Sequence, residues 1–385
     1  LMLELLFLLL PVAAAYGWFM GRNSVRSEER KEQQRFSKQY ATGLNLLLSD
    51  QPDKAVDLFV ELLDVDSETL ETHWTLGKLF RRRGEVERAI KIHQNLTSRP
   101  NITENDRLTA MYELGKDYLA AGIYDRAEQM FSGLQRHKYF RERSRKNLLE
   151  LYQATHEWDK AIKTALRLTR DDRHIEIVVA QLYCELAQME QGSEAVKHYK
   201  KALKHDDNCV RASIALGLLY QQDNQTELAT SYLQRVLQQD KSFVSEVLKP
   251  LESIYKKQGD QTPYIEFLHH CVEKNAGTSA TIALSEYIFA TQGGDAAEQF
   301  IRSSMEQHPT MRGFHQLMDF HIRAADVGSA RESLKILQRM VAEHIAQRPK
   351  YSCRHCGFSG HTLYWQCPSC KSWSTTKPIF GIDGE

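Results

Sequence analysis

Along most of the chain, apolar residues return roughly every three to four positions, the period of a helix buried along one face. Within that texture a small residue follows a short polar stretch again and again. It stands as Ala55 in PDKAVDLF, Ala89 in GEVERAIKIH, Ala127 in YDRAEQMF, Ala161 in WDKAIKTA, Ala195 in SEAVKHYK and Ala229 in TELATSYL. Twelve positions before each of these lie Gly43, Gly77, Gly115, Leu149, Tyr183 and Gly217. Three positions after those come bulky residues: Leu46, Phe80, Tyr118, Tyr152, Leu186 and Tyr220. Paired antiparallel helices account for this order. A small residue on each helix lets two backbones approach, and larger neighbours on the same face fill the space beside them.

The alanines recur at 34 residues, with one step of 38. That period with that pattern is the tetratricopeptide signature. Weaker copies follow. Gly259 and Tyr264 place a seventh unit, Ala297 with Pro309 an eighth, and Ala330 with Leu334 and Leu337 a ninth. These depart from the pattern, since Tyr264 takes a small-residue place and Ser285 stands where glycine often sits. The reading is an all-α tetratricopeptide superhelix of about nine repeats over residues 36–346, the last three degenerate, with an extended curved surface. The first helix of each repeat should line the groove. Those positions hold Trp74, Lys78, Arg81 and Arg82, then Tyr112 and Lys116, then Arg143 and Lys146. A groove of cations with two aromatics is expected to accept an acidic peptide segment or an anionic lipid headgroup. The blander alternative is a solvated helical face.

The N-terminal run breaks the helical alternation. Leu3–Met20 carries one charge, Glu4. Its eighteen residues span about 27 Å as a helix, close to the hydrocarbon thickness of a bilayer. Tyr16 and Trp18 sit where an interfacial aromatic belt belongs. Ala13–Ala15 resembles a signal-peptide cleavage site, but no positive charge precedes the run. Arg22, Arg26, Arg30 and Lys31 follow it. Residues 1–21 therefore read as an uncleaved transmembrane anchor with its N-terminus outside, and residues 22–35 as a juxtamembrane linker.

Cysteine usage changes the picture at the other end. Seven cysteines are present, and four of them form C-x2-C-x10-C-x2-C: Cys353, Cys356, Cys367 and Cys370. Two such turns aim four thiolates at one point, as a tetrahedral S4 metal site requires. Gly357 and Pro368 suit tight knuckle turns. Residues 347–385 are too few to bury a core alone, so one metal ion, zinc or iron, should organise them. Tyr351, Phe358, Tyr364, Trp365 and Trp373 supply an aromatic cover. The short linker at Gln347–Pro349 suggests packing against the ninth repeat. His355 and His361 are spare, because four cysteines already close the site. Cys184, Cys209 and Cys271 read as buried small apolar residues.

Lys+Arg and Asp+Glu each number 50, a balance that gives no prior for nucleic acid. The sequence lacks a phosphate loop, a dinucleotide fingerprint, H-E-x-x-H and a nucleophile elbow. The chain reads as a non-enzyme.

Taken together, MLELLFLLLPVAAAYGW, DKAVDLF, RGEVERAI, YDRAE, HPTMRGFH, TLYWQCPSC and KPIFGIDG resemble the lipopolysaccharide assembly protein B family over essentially the whole chain. The resemblance implies a rubredoxin-like C-terminal site, with metal on Cys353, Cys356, Cys367 and Cys370, commonly iron in the family. It implies a single-pass protein of the bacterial inner membrane, mostly cytoplasmic. It implies an adaptor that restrains lipopolysaccharide synthesis by promoting degradation of the lipid A deacetylase LpxC by the membrane protease FtsH. Other synthesis and export proteins and a membrane-bound periplasmic regulator are further implied partners. A reading of another class stays open: a redox- or metal-sensing electron carrier built on the four-cysteine site.

Overall fold

The computed structural model describes residues 70–100, 102–168 and 174–385, with scattered positions ahead of residue 70. The anchor, the linker and the first repeat lie outside those residues apart from the scattered positions. Among the described residues no helix is long and apolar enough to cross a membrane.

Helices follow one another in pairs. The pairs are α1 (Leu70–Arg82) with α2 (Val86–Ser98), α3 (Glu104–Ala120) with α4 (Tyr124–Leu134), α5 (Lys138–Ala154) with α6 (Trp158–Leu168), and α7 (Ile175–Met189) with α8 (Gly192–His205). They continue as α9 (Val210–Gln222) with α10 (Thr226–Gln239), α11 (Val244–Gln258) with α12 (Thr262–Glu273), α13 (Thr278–Gln292) with α14 (Gly294–Gln307), and α15 (Met311–Ala324) with α16 (Ser329–Gln347). Each pair holds one of the expected repeats from the second to the ninth. The turn inside a repeat needs a left-handed residue, supplied by Gly84 at φ +82 and Gly122 at φ +73, and by Asn224 at φ +57. Contacts divide the chain into two compact units, residues 1–151 and 152–385.

In the first unit, Ala89 and Ala127 are fully buried. The glycines opposite them permit the close approach the sequence implies. A Cβ on Gly77 would lie 2.5 Å from the His93 ring, and one on Gly115 would lie 2.9 Å from Phe131. Leu70, Leu96 and Ala110 form a small core against which Trp74 packs.

The second unit repeats this with apolar partners. Ala161 and Ala229 are fully buried, and a Cβ on Gly217 would lie 2.5 Å from Leu233. First helices of successive pairs also touch: α7 with α9, α9 with α11, α11 with α13 and α13 with α15. One continuous core runs from Ala180 to Leu284 and includes Cys184, Cys209 and Cys271. The degenerate units are still packed. Tyr264 is buried and donates to the Leu248 carbonyl at 3.4 Å, while Ser285 donates to the Ile282 carbonyl at 2.8 Å.

The last repeat differs from expectation. No residue of α16 is fully buried, and Leu337 stays 52% exposed. No further helix pair covers its outer side, because the chain turns there into strands. These are β1 (Tyr351–Cys353), β2 (Ser359–Gly360) and β3 (Thr376–Pro378), an antiparallel sheet in the order β2-β1-β3.

Candidate metal centre

Two turns with the same construction carry the four cysteines. In the first, Gly357 adopts φ +78 and its N–H donates to the Cys353 carbonyl at 3.0 Å. In the second, Lys371 adopts φ +57 and its N–H donates to the Cys367 carbonyl at 2.9 Å. Each turn thus folds a C-x-x-C segment over its own backbone. Lys371 does so at a position where glycine is less strained. The His355 N–H approaches Cys353 Sγ at 3.4 Å, the amide-to-sulfur contact such a turn creates.

The sulfurs converge. Cys353 and Cys370 Sγ are 3.7 Å apart, Cys356 and Cys367 Sγ 3.6 Å, and all four lie within 4.8 Å of one another. A metal–sulfur bond of about 2.3 Å places tetrahedral thiolates about 3.8 Å apart. The donor set therefore fits a tetrahedral metal ion, and both zinc and iron take four thiolates in this way. Cys353 and Cys367 are buried, Cys370 is half-buried and Cys356 is exposed, so one side of the site faces solvent.

Hydrogen bonds prepare the thiolates unequally. Ser372, His355 and the Ser372 amide hold Cys370 down to about 5. Burial pushes Cys353 up, but Thr375 and the turn amides more than offset it, so its thiol lies below the ordinary value. Burial pushes Cys367 up to about 11. A cation between the sulfurs would stabilise all four as thiolates.

The aromatic cover is divided. Phe358 and Tyr364 pack edge to face within the knuckle, with centroids 6.2 Å apart. The other three aromatics reach out to the helices. Trp365 stacks on Phe243 at 5.5 Å, with the Arg211 guanidinium 5.9 Å from its ring. The Tyr351 hydroxyl donates to Glu246 at 2.6 Å, and Trp373 Nε1 donates to Gln153 Oε1 at 2.8 Å. Lys377 pairs with Asp240 at 2.7 Å. Beyond β3, Glu385 accepts from the Ser279 amide at 2.8 Å and pairs with Arg312. Asp383 lies 3.3 Å from His344 of α16. The knuckle is thus not confined to the ninth repeat, as its short linker suggested. It reaches back as far as Gln153. An antiparallel sheet of two- and three-residue strands offers side chains on two faces, and Gln153, Asp240 and Glu246 are polar partners from earlier repeats.

The groove positions expected to bind a partner lie in the first unit. Arg81 donates to Glu113 and Asp117 at 2.6 Å each. Lys78 and Lys116 stand 3.6 and 3.7 Å from the same Glu113. Asp117, fully buried, also pairs with His93. Tyr112 packs on Phe131 and Phe140, and its hydroxyl accepts from Asn147 at 3.0 Å. Arg143 lies over the Tyr139 ring at 4.8 Å, Lys146 pairs with Glu142 at 2.6 Å, and Arg82 is exposed. Much of the cationic charge there is therefore answered by Glu113 and Asp117. Sequence reasoning passed over those two acids. Their place one repeat after Arg81 is the signal that could have found them.

A family model described as a rubredoxin metal binding domain matches residues 351–378. A relative from Escherichia coli (strain K12), Lipopolysaccharide assembly protein B, is 48% identical over 390 residues and covers 100% of both chains. A relative of the same name from Haemophilus influenzae is 38% identical over 392 residues and covers 98% of both. Among solved structures, a tetratricopeptide repeat protein from Parabacteroides merdae is 12% identical, covering 72% of this chain and 100% of that one with a TM-score of 0.34.

Proposed function

The chain belongs to the lipopolysaccharide assembly protein B family, and from that premise we propose that it is a non-enzymatic inner-membrane adaptor that restrains lipopolysaccharide synthesis. In this reading Leu3–Met20 anchors the chain and the repeats face the cytoplasm. The repeats gather LpxC and the protease FtsH, so that the deacetylase is degraded faster. Tethering two proteins on one scaffold raises their effective concentration without new chemistry.

The observation that carries the reading is the docked centre. Four protein sulfurs would close the coordination sphere of a metal held there, which would leave no position for a substrate. Such a metal would cross-link the two turns. The residues around it, Tyr351, Trp365, Trp373 and Lys377, then fix the knuckle to the helices. Such an arrangement supports a rigid surface rather than a reaction. The test is the half-life of the deacetylase in cells with and without this protein. Its loss should lengthen that half-life severalfold, and an unchanged half-life overturns the proposal.

A second reading has its own observation. Cys356 is exposed, so an iron ion there would lie near the surface, as electron transfer to a partner requires. Visible absorbance that bleaches reversibly on reduction would favour it. A colourless protein holding one zinc would exclude it.

A further inference from the structure

Cations on α6 and α8 are arranged differently from those of the first unit. Lys163 and Arg167 of α6 recur one repeat later as Lys197 and Lys201 of α8. Helix α8 adds Lys200 and Lys204, and the spacing 197, 200, 201, 204 keeps all four on one helix face. Lys163, Arg167, Lys197, Lys200 and Lys204 are exposed. The four lysines of α8, with Ser193 and Val196, line a shallow hollow of about 400 Å³.

These charges are largely unanswered. Lys197 approaches Glu194 at 3.4 Å across open surface. Lys200 and Lys201 stand 5.7 and 5.5 Å from the Tyr220 and Tyr183 rings, so aromatic faces and not carboxylates receive their ammonium groups. Among the described residues no carboxylate comes within ion-pair distance of Lys163, Arg167, Lys200, Lys201 or Lys204. By contrast Lys78, Arg81 and Lys116 share Glu113 and Asp117. Repelling cations gathered in this way, with only Glu194 close to one of them among the described residues, are stabilised by an external array of anions.

We propose that the lysine face of α6 and α8 rests on an anionic lipid surface. The chemistry of the patch selects that occupant. A protein partner is normally read through aromatic or aliphatic anchors set in pockets, and the exposed side chains here are long cations around a shallow hollow. Lysine places a mobile point charge on a flexible stem and has no planar fork for one defined carboxylate or phosphate. Such a face suits fluid headgroups. Each cation near a negatively charged leaflet contributes about 1 kcal/mol, or about five-fold in local partition. From the proposed function the inference takes only the membrane attachment.

The test uses the full chain reconstituted with phosphatidylcholine vesicles, with or without phosphatidylglycerol. A short pulse of N-hydroxysuccinimidyl acetate labels lysines, and mass spectrometry reads each position. Phosphatidylglycerol should slow acetylation of Lys163, Lys197, Lys200 and Lys204 about five-fold, and added salt should restore it. Lys78 and Lys116 should change little. The double variant Lys197→Glu with Lys201→Glu should lose the slowing at Lys200 and Lys204 while keeping its helical circular dichroism. Equal rates in the two vesicles overturn the proposal. So does slowing by a soluble polyglutamate peptide but not by phosphatidylglycerol, which assigns the face to an acidic protein. Attachment is judged separately, by flotation with neutral vesicles, whose failure counts against the anchor alone.

Discussion

Residues 175–347 and residues 351–378 are held by different forces. In the helix pairs, order comes from many small apolar contacts repeated at a fixed interval. Gly217 against Leu233 is the type, a bare backbone closed over by a leucine. In the knuckle three short strands carry almost no apolar core, and four sulfurs within 4.8 Å take its place. A repeat can lose one contact and keep its neighbours, because every pair but the last is supported on both sides. The knuckle has one centre and no redundancy. The chain therefore joins a part that should fail gradually to a part that should fail all at once.

Removing a metal ligand probes this difference most severely. Cys367→Ser deletes the most buried of the four converging thiols. Metal coordination supplies roughly 10–16 kcal/mol in small zinc peptides, far more than the residual packing of this segment can replace. Metal analysis should find the variant empty, and limited proteolysis should cut within residues 347–385. Far-ultraviolet circular dichroism should keep most of its helical signal. A knuckle that stays resistant to protease without metal would show that docking, not coordination, holds it.

Within the helices the largest effect is expected where a charge is buried. Arg81→Met removes the cation nearest to both Asp117, which has no exposed surface, and Glu113, leaving them His93 and the longer contacts from Lys78 and Lys116. Breaking a buried charge pair by removing one partner costs up to about 3–5 kcal/mol, and chemical denaturation should show it without loss of metal. The pH dependence follows. Burial pushes Glu113 up, but the bond from Arg81 and the nearby lysines bring it below its ordinary value of 4.5. Its contribution is complete above pH 4.5 and is lost as the pH falls through the lower folded value. In Arg81→Met only the upward push of burial and the weaker lysine attraction remain, so the acid unfolding midpoint should rise. An unchanged midpoint would mean that Glu113 draws little from Arg81. Gly217→Val should cost less, about 1–3 kcal/mol, since the Leu233 side chain can give way where buried charge cannot. Its metal content should be normal.

The sequence showed these two regions unequally. The spacing of Ala161, Ala195 and Ala229 announced the helix pairs, because a close backbone approach demands small residues at one interval. The four cysteines announced the metal for the same reason, since nothing but convergence explains their spacing. The docking did not show. Gln153 and Glu246 are ordinary polar residues on helices and Asp240 stands at a helix end, and their partners lie more than a hundred residues away. Periodicity reports which side of a helix is apolar and is silent on what covers its polar side. Leu337 misled in the opposite sense, since an apolar spacing marked a buried stripe that no following helix covers.

The contact between the regions offers the finest test. Lys377 and Asp240 are 2.7 Å apart, the lysine about one-third exposed and the acid less so. Burial pushes the Asp240 carboxyl up, and Lys377 with Ser242 more than offsets this, so it ionises below its ordinary range. A pair this close to solvent contributes about 1 kcal/mol or less. Lys377→Met should then loosen the knuckle only slightly, visible as a modestly faster cut within residues 347–385 with metal retained. Tyr351→Phe removes the neighbouring bond to Glu246 and should have an effect of similar size. If docking is a sum of small contacts, the two substitutions together should give the sum of their separate effects, with Trp365 on Phe243 still in place. An abrupt release in the double variant would mean that the knuckle undocks in one step, as its metal centre melts, and that the gradual behaviour belongs to the helices alone.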